Sequence, residues 1–231
     1  METDILTRLN DIATIPIARG VHHKMDEGAC IMELVSYVAG EPWSDHPACV
    51  SPCIATFLRV WNDALSDEER PLLKPLIPVL LNTLAPEQEQ ARAYLALDWL
   101  ARTFIPAWLD CAGLGQHSIP LRGSLPLTSD ATTIACMPAV TAARAAFSAA
   151  ARAAAGAAAA VEDAAAVGDA AWAAARAAAG AAVRDAVRDA AWDAAWAAAA
   201  VGAALCPTVV QLQHSALDLV KRMIACGQET L

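Results

Sequence analysis

Trp172-Ala173-Ala174-Ala175-Arg176-Ala177-Ala178-Ala179-Gly180-Ala181-Ala182-Val183-Arg184-Asp185-Ala186-Val187-Arg188-Asp189-Ala190-Ala191-Trp192-Asp193-Ala194-Ala195-Trp196 is the stretch that decides the fold class. It is the densest part of a tract from Ala139 to Ala204 in which about six residues in ten are Ala. Taking every fourth residue gives Arg144, Ser148, Arg152, Gly156, Ala160, Ala164, Gly168, Trp172, Arg176, Gly180, Arg184, Arg188, Trp192 and Trp196. The column just before holds Phe147, Val167, Val183 and Val187, and the column just after supplies Asp169, Asp185, Asp189 and Asp193. The unit is therefore four residues, a tandem repeat in register.

Alanine has the best helix propensity, so the tract is expected to be helical. A four-residue step turns about 400° at 3.6 residues per turn, so each column drifts by about 40° per repeat. One long straight helix would spread the bulky column around its circumference. A break at Val167-Gly168-Asp169 avoids this, since Gly ends a helix and Asp caps the next. The expectation is an antiparallel hairpin, Pro138 to Val167 and Asp169 to Ala204, followed by a C-terminal helix from Pro207 to Ala225. Trp172 with Arg176, and Arg188 with Trp192, stand at i,i+4, where a cation–π contact contributes about 0.5–1 kcal/mol. Two readings of the tract follow. In one, Trp172, Arg176, Arg184, Arg188, Trp192 and Trp196 face a partner; in the other, the Trp are buried in a close-packed hairpin and the charges are solvated.

The net charge is −9, and residues 1–138 hold 17 acids against 9 Lys and Arg. No basic stripe is present, so nucleic acid is not the expected partner. Met1-Glu2-Thr3-Asp4 has neither the basic segment nor the apolar core of a secretory leader. The longest uncharged run, Ala194 to Leu217, contains Pro207, Gln211, Gln213 and His214, which argues against a membrane span. The seven Cys, an odd number at scattered spacings, fit reduced thiols. A cytoplasmic protein is expected.

Ahead of the tract, apolar periodicity predicts helices at 4–12, 25–39, 51–65, 86–103 and 106–112. Ser66-Asp67-Glu68-Glu69 is a capping box, and it opens a segment that Pro71, Pro75 and Pro78 break into short or kinked pieces. No strand pattern appears. From Gly115 the periodicity fades and Pro, Gly, Ser and Thr accumulate. The domain reading is a compact helical head at 1–114, an irregular connector at 115–137, and the alanine-rich region with its closing helix at 138–227. The final helix carries Val210, Leu217, Val220 and Ile224 as its apolar stripe.

Glu41-Pro42-Trp43-Ser44-Asp45-His46-Pro47-Ala48-Cys49 is the loop richest in chemistry. His46, Cys49 and Cys53 have ligand-like spacing, and Cys30, His22 or His23 would complete a tetrahedral zinc site. Against this stands the absence of a Cys-x-x-Cys pair; Cys49 and Cys53 also read as small core residues. Glu33, Glu41, Asp45 and His46 form a second candidate set, for acid–base hydrolysis, because a His beside a carboxylate suits proton transfer near neutrality. In the structural reading Asp45 is a cap, Glu41 is on the surface and His46 lies in a turn.

The stretch Gly28-Ala29-Cys30-Ile31-Met32-Glu33-Leu34-Val35-Ser36-Tyr37-Val38-Ala39-Gly40-Glu41-Pro42-Trp43-Ser44-Asp45-His46-Pro47-Ala48-Cys49-Val50-Ser51-Pro52 resembles a family of uncharacterised actinobacterial and phage proteins. Asn62-Asp63-Ala64-Leu65, Ala96-Leu97-Asp98-Trp99-Leu100 and the tail rich in Ala, Trp, Arg and Asp add to the likeness. It implies no activity. It implies a phage or host-accessory role, and a variable tail favours interaction over a fixed active site. The expected function is thus a non-catalytic module for protein interaction or self-assembly; the alternative is metal-binding or hydrolytic chemistry in the Glu41–Cys53 loop.

Overall fold

The computed structural model describes residues 2–153 and 206–226. The proposed hairpin break and the interaction residues Trp172, Arg176, Arg184, Arg188, Trp192 and Trp196 lie outside them. Within them the fold is all-α, with one isolated parallel bridge between Ile17 and Ala29.

Helix α1 (Glu2–Asp11) lies against α2 (Ile31–Ala39). The sequence predicted that α2 would begin at Met25. Instead, Met25–Glu27 makes a 3-10 turn, and Gly28 takes φ 119° and ψ 177°, which breaks the helix. Gly28 also sits where a Cβ would come within 3.0 Å of both Ala18 Cβ and His22 Nε2, so both its φ and its crowding favour glycine. Cys30 then caps α2: its Sγ accepts from Glu33 N at 3.4 Å while Glu33 Oε2 accepts from Cys30 N at 2.7 Å. The first turn is thus a capping box with sulfur in place of a hydroxyl. Gly40, at φ 77°, ends the helix. Ile31, Met32, Leu34, Val35 and Val38 are all buried, as an apolar circumference predicts for a central helix.

Helix α3 (Pro52–Ala64) follows, capped by Ser51 with Pro52 in its first turn. The proline-rich segment forms a 3-10 stretch, Arg70–Leu76, and a short α4 (Ile77–Leu80). Beyond it, α5 (Glu89–Trp99), a π-turn (Leu100–Phe104) and α6 (Ile105–Cys111) run without a break. The expected interruption before Pro106 does not occur. Proline lacks an N–H and its ring collides with the carbonyl four residues back, here Arg102. The wider π-turn over those residues lets the helix continue. Along this rod and α3, the rings of Trp61, Phe57, Trp99, Phe104 and Trp108 form a chain with successive centroids 5.6, 6.4, 5.5 and 6.0 Å apart.

The connector expected to be irregular at 115–137 is largely helical. Helix α7 (Gly115–Arg122) fills its first part, and α8 (Asp130–Ala153) begins within it and runs on into the tract. Ser129 Oγ accepts from Thr132 N at 3.3 Å, an N-cap hidden among residues read as loop formers. Thr133, Cys136, Val140, Ala143 and Phe147, spaced by alternating threes and fours, are all buried. That stripe gives α8 a core face in spite of Pro138.

Helix α9 (Cys206–Ala225) packs on α3, α5 and α6. Half of its expected stripe holds: Val220 and Ile224 are buried, whereas Val210 is exposed and Leu217 half-buried; Leu212, Ala216, Leu219 and Met223 are buried in addition. The buried residues make the continuous stripe, and Ser215 beside it accepts from Trp99 Nε1 at 3.0 Å. No helix among the described residues is long and apolar enough to cross a membrane.

Candidate functional site

The Glu41–Cys53 loop is held by its own polar residues. Glu41 N donates to Ser36 O at 3.0 Å, completing the end of α2. The Glu41 carboxylate then accepts from Ala48 N at 2.5 Å and Cys49 N at 2.9 Å, closing the loop on itself. Ser36 Oγ donates to Ser44 O at 2.6 Å, and Ser44 Oγ accepts from His46 N at 3.0 Å. Trp43 Nε1 donates to His22 O at 2.8 Å. Leu84 N donates to Cys49 O at 3.0 Å, which fixes the far side. Glu41 is thus a structural carboxylate.

Asp45 and His46 are the pair that stays together. Their Oδ1 and Nδ1 atoms are 2.6 Å apart, and the His46 side chain is 67% exposed. Arg59, on α3, donates from Nη1 to Asp45 O at 3.0 Å and from Nη2 to Thr56 Oγ1 at 3.2 Å. Its Nε lies 4.0 Å from Asp45 Oδ2. Burial lowers the Arg59 pKa, against the pull of Asp45. His46, Thr56 and Arg59 border a crevice of about 300 Å³ with apolar walls from Val50, Pro52, Ala55 and Leu84.

Glu33 does not join them. It is fully buried and accepts from three donors: His22 N at 2.6 Å, His22 Nδ1 at 2.9 Å and Cys30 N at 2.7 Å. The sequence reading placed His22 only as a spare metal ligand, so this buried histidine–carboxylate pair was missed. The i,i+3 spacing of Cys30 and Glu33 was its legible sign; the return of His22 to the same carboxylate was not.

The four residues proposed for zinc go to different surroundings. Cys30 caps α2, His46 lies at the crevice rim, and Cys49 sits beside Glu41. Cys53 lies by Glu89, Arg92 and Cys226. Burial pushes the thiols of Cys30 and Cys53 up to about 12, so both are held as neutral, unreactive thiols. Cys49 is raised as well, by burial first and then by the Glu41 carboxylate. Among the described residues no three His, Cys, Asp or Glu side chains gather as metal ligands would.

A second polar centre lies where α3, α5 and α9 meet. Glu89 Oε2 accepts from Ser51 Oγ at 2.9 Å and Cys53 N at 3.0 Å, at the positive end of α3. Its other oxygen pairs with Arg92 Nη1 at 2.7 Å. Arg92, only 2% exposed, donates from Nε to Met223 O at 3.0 Å and from Nη2 to Cys226 O at 3.2 Å, at the negative end of α9. One ion pair therefore complements two helix dipoles. Gln213 Nε2 donates to Glu69 Oε1 at 2.6 Å, and Cys111 Sγ lies 2.9 Å from Thr208 Oγ1, so α9 is held along its length.

No family model, curated protein or solved structure matches this chain.

Proposed function

We propose that the chain is a non-catalytic module for protein interaction or self-assembly, in which the helical head grips the alanine-rich tract by both ends. The observation that carries this reading is the anchoring of α8 and α9 on one body. Val140, Ala143 and Phe147 are buried on one side of the tract and Leu212, Ala216 and Leu219 on the other. The two helices that flank residues 154–205 in the chain are thus both packed on the head. Support comes also from how the head uses its polar groups. Glu33, Glu41, Glu89 and Arg92 bind backbone N–H and C=O groups, a structural use. The Arg and Trp of the tract are residue types that anchor interfaces, and the acidic head makes a protein a better partner than nucleic acid. The resemblance of the head stretch to actinobacterial and phage proteins supports a phage or host-accessory role within this proposal.

Native mass spectrometry of the whole chain, alone and purified from an actinobacterial host, tests the reading. The expected result is a multiple of the 24.1 kDa chain mass, or a stoichiometric protein partner, lost on Trp192→Ala/Trp196→Ala and kept on His46→Ala. A bare monomer in both preparations, or loss on His46→Ala alone, overturns it.

A further inference from the structure

The crevice beside His46 is used by nothing in the role proposed above, yet it is built. We propose that it binds a small monocarboxylate, with an apolar body against Pro52, Ala55 and Leu84 and the carboxylate on the Arg59 guanidinium. Three observations converge on this class of ligand.

First, the walls are preformed. Glu41 closes the 41–49 loop through the Ala48 and Cys49 amides, Leu84 N is tied to Cys49 O at 3.0 Å, and Arg59 is pinned from two sides. Little ordering remains to be done when a ligand enters. Second, the volume of about 300 Å³ is at the small end of the range for pockets that enclose organic molecules, about 300–1,000 Å³. The lining is mostly apolar, which selects a hydrocarbon body and disfavours bare phosphate.

Third, the cation has spare donors. A guanidinium offers five N–H groups in a planar fork, and Arg59 directs one to Asp45 O and one to Thr56 Oγ1. The Asp45 carboxylate is the one anion beside it among the described residues. It lies 4.0 Å from Arg59 Nε, outside hydrogen-bond range, and its Oδ1 is already on His46. An incoming carboxylate can thus add a charge-assisted hydrogen bond to a cation that the Asp45 carboxylate meets only as a long ion pair. Leu84, a large apolar side chain 48% exposed at the mouth, gains cover from the ligand's apolar body.

The test is a titration of the full-length ¹⁵N-labelled chain with benzoate, and with benzamide as its neutral analogue, followed by amide shifts. Benzoate is expected to move Ala48, Thr56 and Leu84 saturably, with benzamide about tenfold weaker, the value of one hydrogen bond to a charged group. Arg59→Gln should bring benzoate down to the affinity of benzamide. Should that variant unfold, Leu84→Glu serves in its place, since a half-exposed position tolerates it and its charge faces the ligand; it too should abolish benzoate binding. Equal binding of benzamide, unchanged binding in Leu84→Glu, or no saturable shift in the wild-type chain each overturns the proposal.

Discussion

Replacing Arg92 by Met, a side chain of similar length without charge, removes three bonds at once. Met223 O and Cys226 O lose their donor, and Glu89 loses its cation while still holding Ser51 Oγ and Cys53 N. Breaking a buried ion pair from one side costs about 3–5 kcal/mol. Glu89 is 22% exposed, so water screens part of the stranded charge and the lower end, about 3 kcal/mol, is expected. In a body of this size each kcal/mol moves the midpoint by about 2–4 °C, giving a fall of about 6–12 °C. Thermal unfolding followed by circular dichroism measures it. The double variant Arg92→Met/Glu89→Gln should cost less than the sum of its parts, because the second change removes the stranded charge. Hydrogen exchange should show the last turn of α9 opening first. A midpoint within a degree of wild type, or fully additive costs, would refute the account of this ion pair as the anchor of α9.

Other outcomes follow from single contacts. Gly28→Ala places a Cβ at φ 119° against Ala18 and His22, and should cost about 1–3 kcal/mol in urea unfolding. Cys30 and Cys53, with thiols near 12, should resist iodoacetamide at pH 8 in the folded chain and react once it is denatured; labelling of either in the native state contradicts the burial. Trp99→Phe should destabilise more than Trp108→Phe by about 1 kcal/mol, because the Trp99 N–H bonds Ser215 whereas the buried Trp108 N–H has no partner among the described residues. Burial pulls the Glu69 carboxyl upward, but bonds from Gln213 and Ser66 prevail and hold it below its ordinary value. A depressed folded-state pKa contributes stability above the unfolded value of about 4.3. That contribution is lost as pH falls through the lower folded value, and Gln213→Ala should flatten this acid limb.

The all-α class was legible because alanine propensity and the absence of period-two patterning agree. The central place of α2 was legible for a related reason: Ile31, Leu34 and Val38 beside Met32, Val35 and Ala39 make it apolar most of the way round, which suits a core helix. What escaped depended on backbone geometry and on distant partners. Gly28 read as one residue in a helix, and only its positive φ shows it as the break. Pro106 read as a stop, but a π-turn absorbs it. The α8 stripe, Thr133-Cys136-Val140-Ala143-Phe147, does carry a helical period, but Thr, Cys and Ala look too weakly apolar to announce a core face. Of the candidate site, only the adjacency of Asp45 and His46 carried through. Glu33 and Glu41 are similar residues within one short stretch, yet one binds His22 and the other its own loop. No local pattern distinguishes them, since the partners are chosen by where the chain returns.

The same partner choices bear on where activity resides. In the head, the buried charges of Glu33, Arg70 and Arg92 and the half-buried Glu89 all meet backbone groups. A charge so placed holds two segments in register, and its removal costs stability before anything else. Asp45, His46 and Arg59 differ: their mutual contacts leave donor capacity at an open crevice, so changing them should alter binding with a smaller effect on folding. The Arg and Trp columns of the tract are a third case, because they recur every four residues and no single member is unique. Loss of one Trp there should weaken association by degrees, whereas Arg59→Gln should act as a single step. Graded loss across Trp172, Trp192 and Trp196, with the head's melting midpoint unchanged, would place the interaction in the tract. An abrupt loss confined to one of them would instead require a single discrete pocket in the partner.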